Sequence, residues 1–137
     1  MKKIELKKIF EESQNIAIVG LSSRSDRTSN RIGRYLKDEA GYNIIPVNPN
    51  EDSILGETSW PSLTDIPSGI KIDIVNVFRR PEHLESIAAE CVQRGVGFFW
   101  AQLGVSNDKA AEILQKAEVP YVMNRCIFVE HQQIFFK

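Results

Sequence analysis

The sequence contains few of the residues that build metal sites and disulfide frameworks. Among its 137 residues there are two cysteines, Cys91 and Cys126, and two histidines, His83 and His131, which are far apart from each other. Two cysteines are too few for a disulfide scaffold, and no set of Cys, His and Asp residues has the spacing of a zinc site. We therefore expect a reduced, cytosolic protein without a metal centre.

Long apolar runs and an excess of charge of one sign are also missing. No run approaches the roughly 20 apolar residues that cross a bilayer, and the N-terminus has lysines but no continuous apolar segment typical of a secretory signal. The 17 basic and 18 acidic residues give a formal net charge of -1. The sequence therefore gives no reason to expect a membrane or a nucleic-acid partner.

The chain does contain an alternation of short apolar runs with helical patterns. A short amphipathic helix over residues 1–14 precedes five predicted strands, and helical spacing of apolar residues separates most of these strands. This alternation predicts one α/β domain over residues 1–137, an open, mostly parallel five-stranded doubly wound sheet in the order 3-2-1-4-5 with helices on both faces. The tail 127–137 has no secure assignment. The predicted strands are 16–19, 43–47, 72–78, 96–103 and 121–123.

The residues that follow the predicted strands are rich in groups that bind anions. In open parallel sheets, ligands bind beyond the carboxyl ends of the strands at the switch point, which this order places between the first and fourth strands. After Gly20, the polar residues Ser22, Ser23 and Arg24 lead to a helix start that one of residues 28–30 can cap. A polar loop before a helix start is a typical phosphate site, because unpaired backbone N–H groups point at the loop. The set contains no carboxylate, and the other strand ends supply Asn48, Pro49, Phe78, Arg79, Arg80 and Gln102.

The first loop departs from the fingerprints of dinucleotide-binding and P-loop proteins. Gly20 does not begin a G-x-G-x-x-G, and Asn48 stands where an acidic residue would bind a ribose hydroxyl. An NAD(P)- or nucleotide-dependent enzyme that uses this cleft is therefore disfavoured but stays open, as does a non-binding scaffold or dimerisation domain. Cys126 follows the last strand beside Arg125 without a base near it in the sequence, so no catalytic pair is visible.

Six short segments carry a family resemblance that extends over nearly the whole chain after residue 14. Together they resemble the small single-domain CoA-binding proteins of bacteria and archaea, whose Rossmann-like domain is also found in the alpha subunit of succinyl-CoA synthetase. The segments are IAIVGLSSRSDRTSNRIGRYL, PVNP, ILGETSWPSLTDIP, VNVFRRPE, WAQLGV and VMNRC. The resemblance implies that CoA lies across the strand ends with its pyrophosphate on the first loop. Carried over by position, it implicates Gly20, Ser22, Ser23, Arg24, Asn48, Pro49, Phe78, Arg79, Arg80 and Gln102.

The resemblance implies binding rather than catalysis. In the related synthetases the phosphohistidine and nucleotide-grasp parts lie on other domains, so we expect this chain to hold CoA or a short acyl-CoA as a carrier, a sensor or a partner module. A second copy of the chain or a separate catalytic subunit is the expected protein partner. Four positions depart from the family pattern, namely Leu21 and Ser25 in the phosphate loop, and Asn124 and Ile127 near the last strand.

Overall fold

The fold is organised by five short, apolar strands that lie side by side in one parallel sheet. The computed structural model describes residues 2–136. The sheet strands are β1 Asn15–Val19, β2 Asn43–Val47, β5 Ile74–Val77, β6 Phe98–Ala101 and β7 Tyr121–Val122. Two further strands, β3 Ser53–Ile54 and β4 Glu57–Thr58, form a small antiparallel hairpin. All residues of β5 and β6 are buried because helices cover both faces of the sheet, so the predicted fold class is confirmed.

The helices follow the apolar spacing that the sequence shows. The buried stripe of the second helix is Ile32, Tyr35 and Leu36, as the i, i+3, i+4 pattern predicts. A π-helical turn, Tyr35–Glu39, continues this helix, and 3-10 turns lie at Leu63–Asp65 and Pro81–His83. Within residues 2–136 the α-helices are α1 Lys3–Glu12, α2 Thr28–Arg34, α3 Leu84–Arg94, α4 Asp108–Lys116 and α5 Ile127–Phe135.

The order of the strands differs from the predicted one in the place of a single strand. The sheet runs β2-β1-β5-β6-β7; counted along the chain, this is 2-1-3-4-5, and the third sheet strand lies beside the first instead of beyond the second. The reason is the connection 48–73, in which Trp60 returns along the outer side of β2 and bridges Val47 in parallel. The switch point therefore lies between β1 and β5.

Two apolar layers hold the helices on the sheet. The side chains of β1 alternate, so that Ala17 and Val19 face α3 and α4, while Ile16 and Ile18 face α1, α2 and α5. Leu6 and Phe10 of α1 are buried in the second of these layers. The N-terminal helix is therefore packed on the sheet through its apolar side.

The C-terminal tail forms α5, which packs against α1 and closes an aromatic cluster. At its centre is His131, which is 5% exposed and whose Nδ1 lies 2.6 Å from the Tyr35 hydroxyl oxygen. The rings of Phe10, Tyr42 and Phe135 surround the imidazole. Burial lowers the pKa of His131 from its ordinary value of 6.5 and raises the pKa of Tyr42 to about 12.

The irregular connection 48–73 is held in place by one arginine from α3. The Arg94 guanidinium donates hydrogen bonds to four backbone carbonyl oxygens of this connection. Two of these bonds, to Pro67 and Ile70, are 2.7 Å long. The other two acceptors are the carbonyl oxygens of Leu63 and Ile66. One side chain thus provides donors for backbone carbonyl oxygens that no regular secondary structure satisfies in this segment.

Candidate functional site

A cleft of about 610 Å³ opens at the carboxyl ends of β1, β5 and β6, next to the switch point. The starts of α2 and α5 form its other walls. Its lining includes no aspartate or glutamate, so the side chains that face it carry only positive or neutral groups. Among the residues implicated from the sequence, those that line the cleft are Gly20, Ser22, Phe78, Arg79, Arg80 and Gln102.

Gly20 brings the first loop close to the end of β5. Its φ of +87° lies in the left-handed region, and a Cβ atom built on it would lie 2.4 Å from the Phe78 carbonyl oxygen. Glycine is the residue that tolerates both conditions, because it has no Cβ. Its backbone N–H donates to the Val47 carbonyl, 2.9 Å away, so the turn is tied to β2 as well.

The loop after Gly20 is held in shape by the first turn of α2. The Ser22 N–H donates to the Ser29 hydroxyl at 3.0 Å, and the Asn30 side-chain amide donates to the Ser22 carbonyl at 2.8 Å. The sequence predicted a helix cap within residues 28–30, but the N-cap is Arg27, and no side chain caps the helix. The polar side chains of Ser29 and Asn30 bond to the loop instead, since the loop folds back over the helix start.

Three guanidinium groups surround the cleft without any partner in the described part of the chain. They belong to Arg27, Arg79 and Arg80, and within residues 2–136 none of them makes a hydrogen bond or an ion pair. By contrast, Arg24 is paired with Asp26 at 3.1 Å, on the exposed side of the loop. Guanidinium groups bind phosphate oxygens in bidentate geometry, so the arrangement is suited to an anion.

Gln102 is buried beneath the cleft, and within residues 2–136 only the oxygen of its side-chain amide has hydrogen-bond partners. The residue is 5% exposed, and its Oε1 accepts hydrogen bonds from Asn76 Nδ2 at 3.0 Å and from the Ile127 N–H at 2.9 Å. Because a backbone N–H can only donate, this contact fixes which end of the Gln102 amide is the oxygen. Nε2 is left without an acceptor in residues 2–136, and the residue lines the cleft.

Four residues implicated from the sequence lie outside the cleft. The Ser23 hydroxyl donates to a Glu51 carboxylate oxygen at 2.7 Å, and the Arg24 guanidinium faces Asp26. The Asn48 amide donates to the Leu21 carbonyl at 2.9 Å, so it supports the loop from below. Pro49 lines a separate depression of about 160 Å³.

That smaller depression adjoins the cleft, because Arg79 lines both of them. It lies between β2 and α3, and its polar wall is formed by His83, Ser86 and Glu90. One carboxylate oxygen of Glu90 is buried there and makes no hydrogen bond within the described residues. The two cavities are therefore neighbours that share Arg79.

The positions that depart from the family pattern have structural roles here. The Leu21 side chain is fully buried under α2, so it leaves the cleft open. The Ser25 carbonyl accepts a hydrogen bond from the Arg34 guanidinium at 3.0 Å. Asn124, with a φ of +59°, accepts from the Gly104 N–H at 2.7 Å. Ile127 supplies the N–H that orients Gln102, which a proline could not do.

Several residues that line the cleft were not among those implicated from the sequence. Arg27 is not in the stretch that directly follows β1. The packing of Ile32 and Tyr35 nevertheless places the start of α2, and with it Arg27, next to the cleft. The apolar wall could not be found from motifs, because single apolar residues after a strand carry no signal. The additional lining residues are Arg27, Thr28, Ser29, Pro81, Leu103, Val105 and Cys126.

Residues 2–136 contain neither a grouping of metal-binding side chains nor a helix that could cross a membrane. In that range no three or more His, Cys, Asp or Glu side chains are grouped so that they could hold a metal ion. None of the helices described between those residues has the length and apolar character needed to cross a bilayer.

The pattern of a known family matches residues 14–132, and its description is CoA binding domain. The chain belongs to the CoA binding domain family. One similar protein is the uncharacterized protein YneT of Bacillus subtilis (strain 168), which is 45% identical over 129 residues. That match covers 94% of this chain and 93% of YneT, so the two chains correspond along almost their whole length.

Two further comparisons connect the CoA binding domain of this chain to other proteins. The Acetate–CoA ligase [ADP-forming] II of Archaeoglobus fulgidus is 32% identical over 84 residues, which is 61% of this chain and 12% of the ligase. A solved structure of a protein from Pyrococcus horikoshii OT3 superposes with a TM-score of 0.93 at 30% identity. It covers 98% of this chain and 92% of that one, and the fold is therefore the same throughout.

Proposed function

We propose that this chain binds CoA, or a short acyl-CoA, in the cleft at the ends of β1, β5 and β6. The observation that carries the proposal is the set of three guanidinium groups around a cleft without a carboxylate, namely Arg27, Arg79 and Arg80. CoA carries a pyrophosphate and a further phosphate on its ribose, and unpaired guanidinium groups are the side chains that bind such groups most strongly.

The lining residues of the two cavities suggest where each part of CoA binds. The pyrophosphate lies against Ser22 and the uncapped first turn of α2, between Arg27 and the arginines that follow β5. Arg79 extends from the cleft to the depression that contains Pro49, so the nucleotide end of CoA occupies this side. The pantetheine arm runs along the apolar wall formed by Phe78 and Leu103.

The lining supports binding without chemical conversion of the ligand. The larger cleft contains hydroxyl groups and one thiol, but no histidine, aspartate or glutamate that could act as a general base. His83 and Glu90 line only the smaller depression, which is assigned to the nucleotide end of CoA. A module of this kind serves as a carrier, a sensor of acyl-CoA, or the CoA-binding partner of a separate catalytic subunit. The ligase from Archaeoglobus fulgidus, of which this chain matches 12%, supports the last of these roles.

The proposal is tested by titrating the protein with CoA, acetyl-CoA, NAD and ADP by calorimetry, and by thermal melting with each ligand at millimolar concentration. A ligand that binds the folded state alone raises the melting temperature by mass action. We expect saturable binding of CoA and acetyl-CoA and a larger shift than with ADP or NAD. Equal shifts with NAD would favour a nucleotide-dependent enzyme, and no shift with any ligand would favour a scaffold.

A pair of matched variants locates the site. The double variant Arg79→Gln, Arg80→Gln removes two guanidinium groups from the cleft, and each charge-assisted contact is worth about 1.5–3 kcal/mol. CoA affinity should therefore fall by at least roughly tenfold. Arg24→Gln removes a guanidinium of the same loop that is paired with Asp26 outside the cleft, and should leave the affinity unchanged. Equal losses in both variants would place the ligand elsewhere.

A further inference from the structure

We propose that Cys126 is an attachment site where CoA becomes linked to this protein through a mixed disulfide. This inference rests on the proposed binding of CoA in the cleft, and it concerns what happens when the ligand arrives as a disulfide of CoA. Cys126 is one of two cysteines, both of them free thiols, and it is the one that lines the cleft. The reactive group of CoA is itself a thiol, so ligand and wall carry matching chemistry.

The position of Cys126 is fixed by the contacts on either side of it. It is the N-cap residue of α5, and its side chain makes no capping hydrogen bond. The next residue, Ile127, is fully buried and donates its N–H to Gln102 Oε1 at 2.9 Å. The thiol is therefore held beside Gln102 at the mouth of a half-buried pocket, rather than on a mobile segment.

Gln102 gives a second, independent indication of a ligand at this end of the cleft. The residue is only 5% exposed, and its Oε1 accepts hydrogen bonds from two donors. Its Nε2 has no acceptor within residues 2–136. Because Gln102 lines the cleft, a ligand carbonyl there can accept a hydrogen bond from this amide nitrogen. The pantetheine arm of CoA contains amide carbonyls close to its thiol, so an arm bonded to Gln102 presents its sulfur to Cys126.

The other cysteine shows what a purely structural thiol looks like in this fold. Cys91 is fully buried on the apolar face of α3, and burial, together with the negative charge of Glu90, raises the pKa of its thiol far above the usual range. A thiol in such surroundings is inert towards disulfides. Cys91 is thus a matched internal control for the cysteine in the cleft.

The reaction is a thiol–disulfide exchange in which the oxidant is the disulfide formed by two CoA molecules. The Cys126 thiolate attacks one sulfur of that disulfide, the bond between the two CoA sulfurs breaks, and a bond between Cys126 Sγ and one CoA sulfur forms. The second CoA leaves as a thiolate and takes up the proton that Cys126 lost. The Cys126 sulfur is oxidised and the released CoA is reduced, and a free thiol reverses the step.

The experiment incubates the full chain with CoA disulfide and follows the intact mass and the peptide map. We expect the mass to rise by one CoA less two hydrogens, with the addition on the peptide that contains Cys126, and reductant to reverse it. The adduct should form at least roughly tenfold faster than with glutathione disulfide, because the cleft aligns only the CoA ligand. Cys91→Ala should form the adduct as the natural chain does, and Cys126→Ser should not.

Each outcome decides between the inference and the proposed function beneath it. Calorimetry with reduced CoA under reductant measures binding alone. If reduced CoA binds but no adduct forms on Cys126, or if CoA disulfide and glutathione disulfide react equally fast, the attachment site is refuted and the binding site stands. If reduced CoA does not bind at all, the proposed function fails. The variant Arg79→Gln, Arg80→Gln should slow attachment of CoA but not of glutathione.

Discussion

Gly20 joins β1 to the loop in a backbone conformation that strains any other residue. We predict that Gly20→Ala destabilises the protein by roughly 2–4 kcal/mol, because the left-handed conformation and the contact with the Phe78 carbonyl both oppose a Cβ atom. CoA binding should fall with it, since the loop and the end of β5 would have to move apart. Urea unfolding, followed by calorimetry on the folded variant, measures both effects.

Gly69 is the matched control for this substitution. A Cβ atom built on it meets no heavy atom within 4 Å, and its φ is an ordinary one. Gly69→Ala should therefore leave stability within about 0.5 kcal/mol of the natural chain or raise it slightly. Similar losses at Gly20 and Gly69 would show that close approach at the cleft has no special role.

His131 makes the stability of the protein depend on pH. Because burial holds its folded-state pKa below the unfolded value of 6.5, the unfolded chain takes up the proton first as the pH falls. The histidine contributes its full stability above about pH 6.5, and this contribution is lost as the pH falls through the folded-state value. We expect the urea midpoint to drop as the pH falls below about 6.5.

The variant His131→Phe should remove this part of the pH dependence. Its stability at neutral pH should be lower by roughly 1–3 kcal/mol, because the Tyr35 hydroxyl loses its partner. His83, which is exposed on the 3-10 turn before α3, serves as the control, and His83→Asn should keep the natural slope. A natural slope in His131→Phe would assign the pH dependence to other groups.

At the scale of elements, Arg94 couples the end of α3 to the irregular connection 48–73. Removing its guanidinium leaves four carbonyl oxygens of that connection without their donor. We predict that Arg94→Ala lowers stability by roughly 2–4 kcal/mol and makes the stretch 61–72 the first site of proteolytic cleavage. Gln93→Ala, at the exposed neighbouring position on the same helix, should change neither property. Unchanged cleavage in Arg94→Ala would contradict this role.

The elements themselves could be predicted from the sequence because their signals are local. The β-branched run before Gly20 and the i, i+3, i+4 stripe of Ile32, Tyr35 and Leu36 do not depend on distant contacts. The strand order could not be predicted, because it depends on where the connection 48–73 returns. The sequence left α5 unassigned since apolar residues such as Phe128 and Val129 occur on more than one of its sides, which hides the helical period.

The candidate site was predictable for a similar reason and to a similar extent. Gly20, Arg79 and Gln102 directly follow strands, and the rule for parallel sheets places them together. Ser23 and Arg24 have the same local signal, yet the loop turns back on α2 and points both of them to solvent or to acidic neighbours. Only the folded loop distinguishes the two groups of residues.

At the scale of the whole molecule, the charge is nearly balanced but unevenly placed. The formal net charge is -1, while the cleft is lined by arginines and by no acidic residue. The electrostatic attraction that this cleft exerts on an anion is thus local, and added salt screens it. We predict that raising the salt concentration from about 50 mM to about 500 mM weakens CoA binding several-fold. In Arg79→Gln, Arg80→Gln the dependence measured by calorimetry should be flatter, and an equal slope would contradict the role of these charges.

Trp60, which lies along the outer side of β2, has a consequence for assembly. Its N–H and carbonyl bond to Pro46 and Asn48, so the outer backbone groups of this strand are partly satisfied within the chain. At the opposite margin β7 has only two residues and follows Pro120. The margins of the sheet therefore present few unpaired backbone groups to a strand from another molecule, which protects the protein from edge-to-edge aggregation. We therefore do not expect copies of this chain to associate by pairing strands at these two margins.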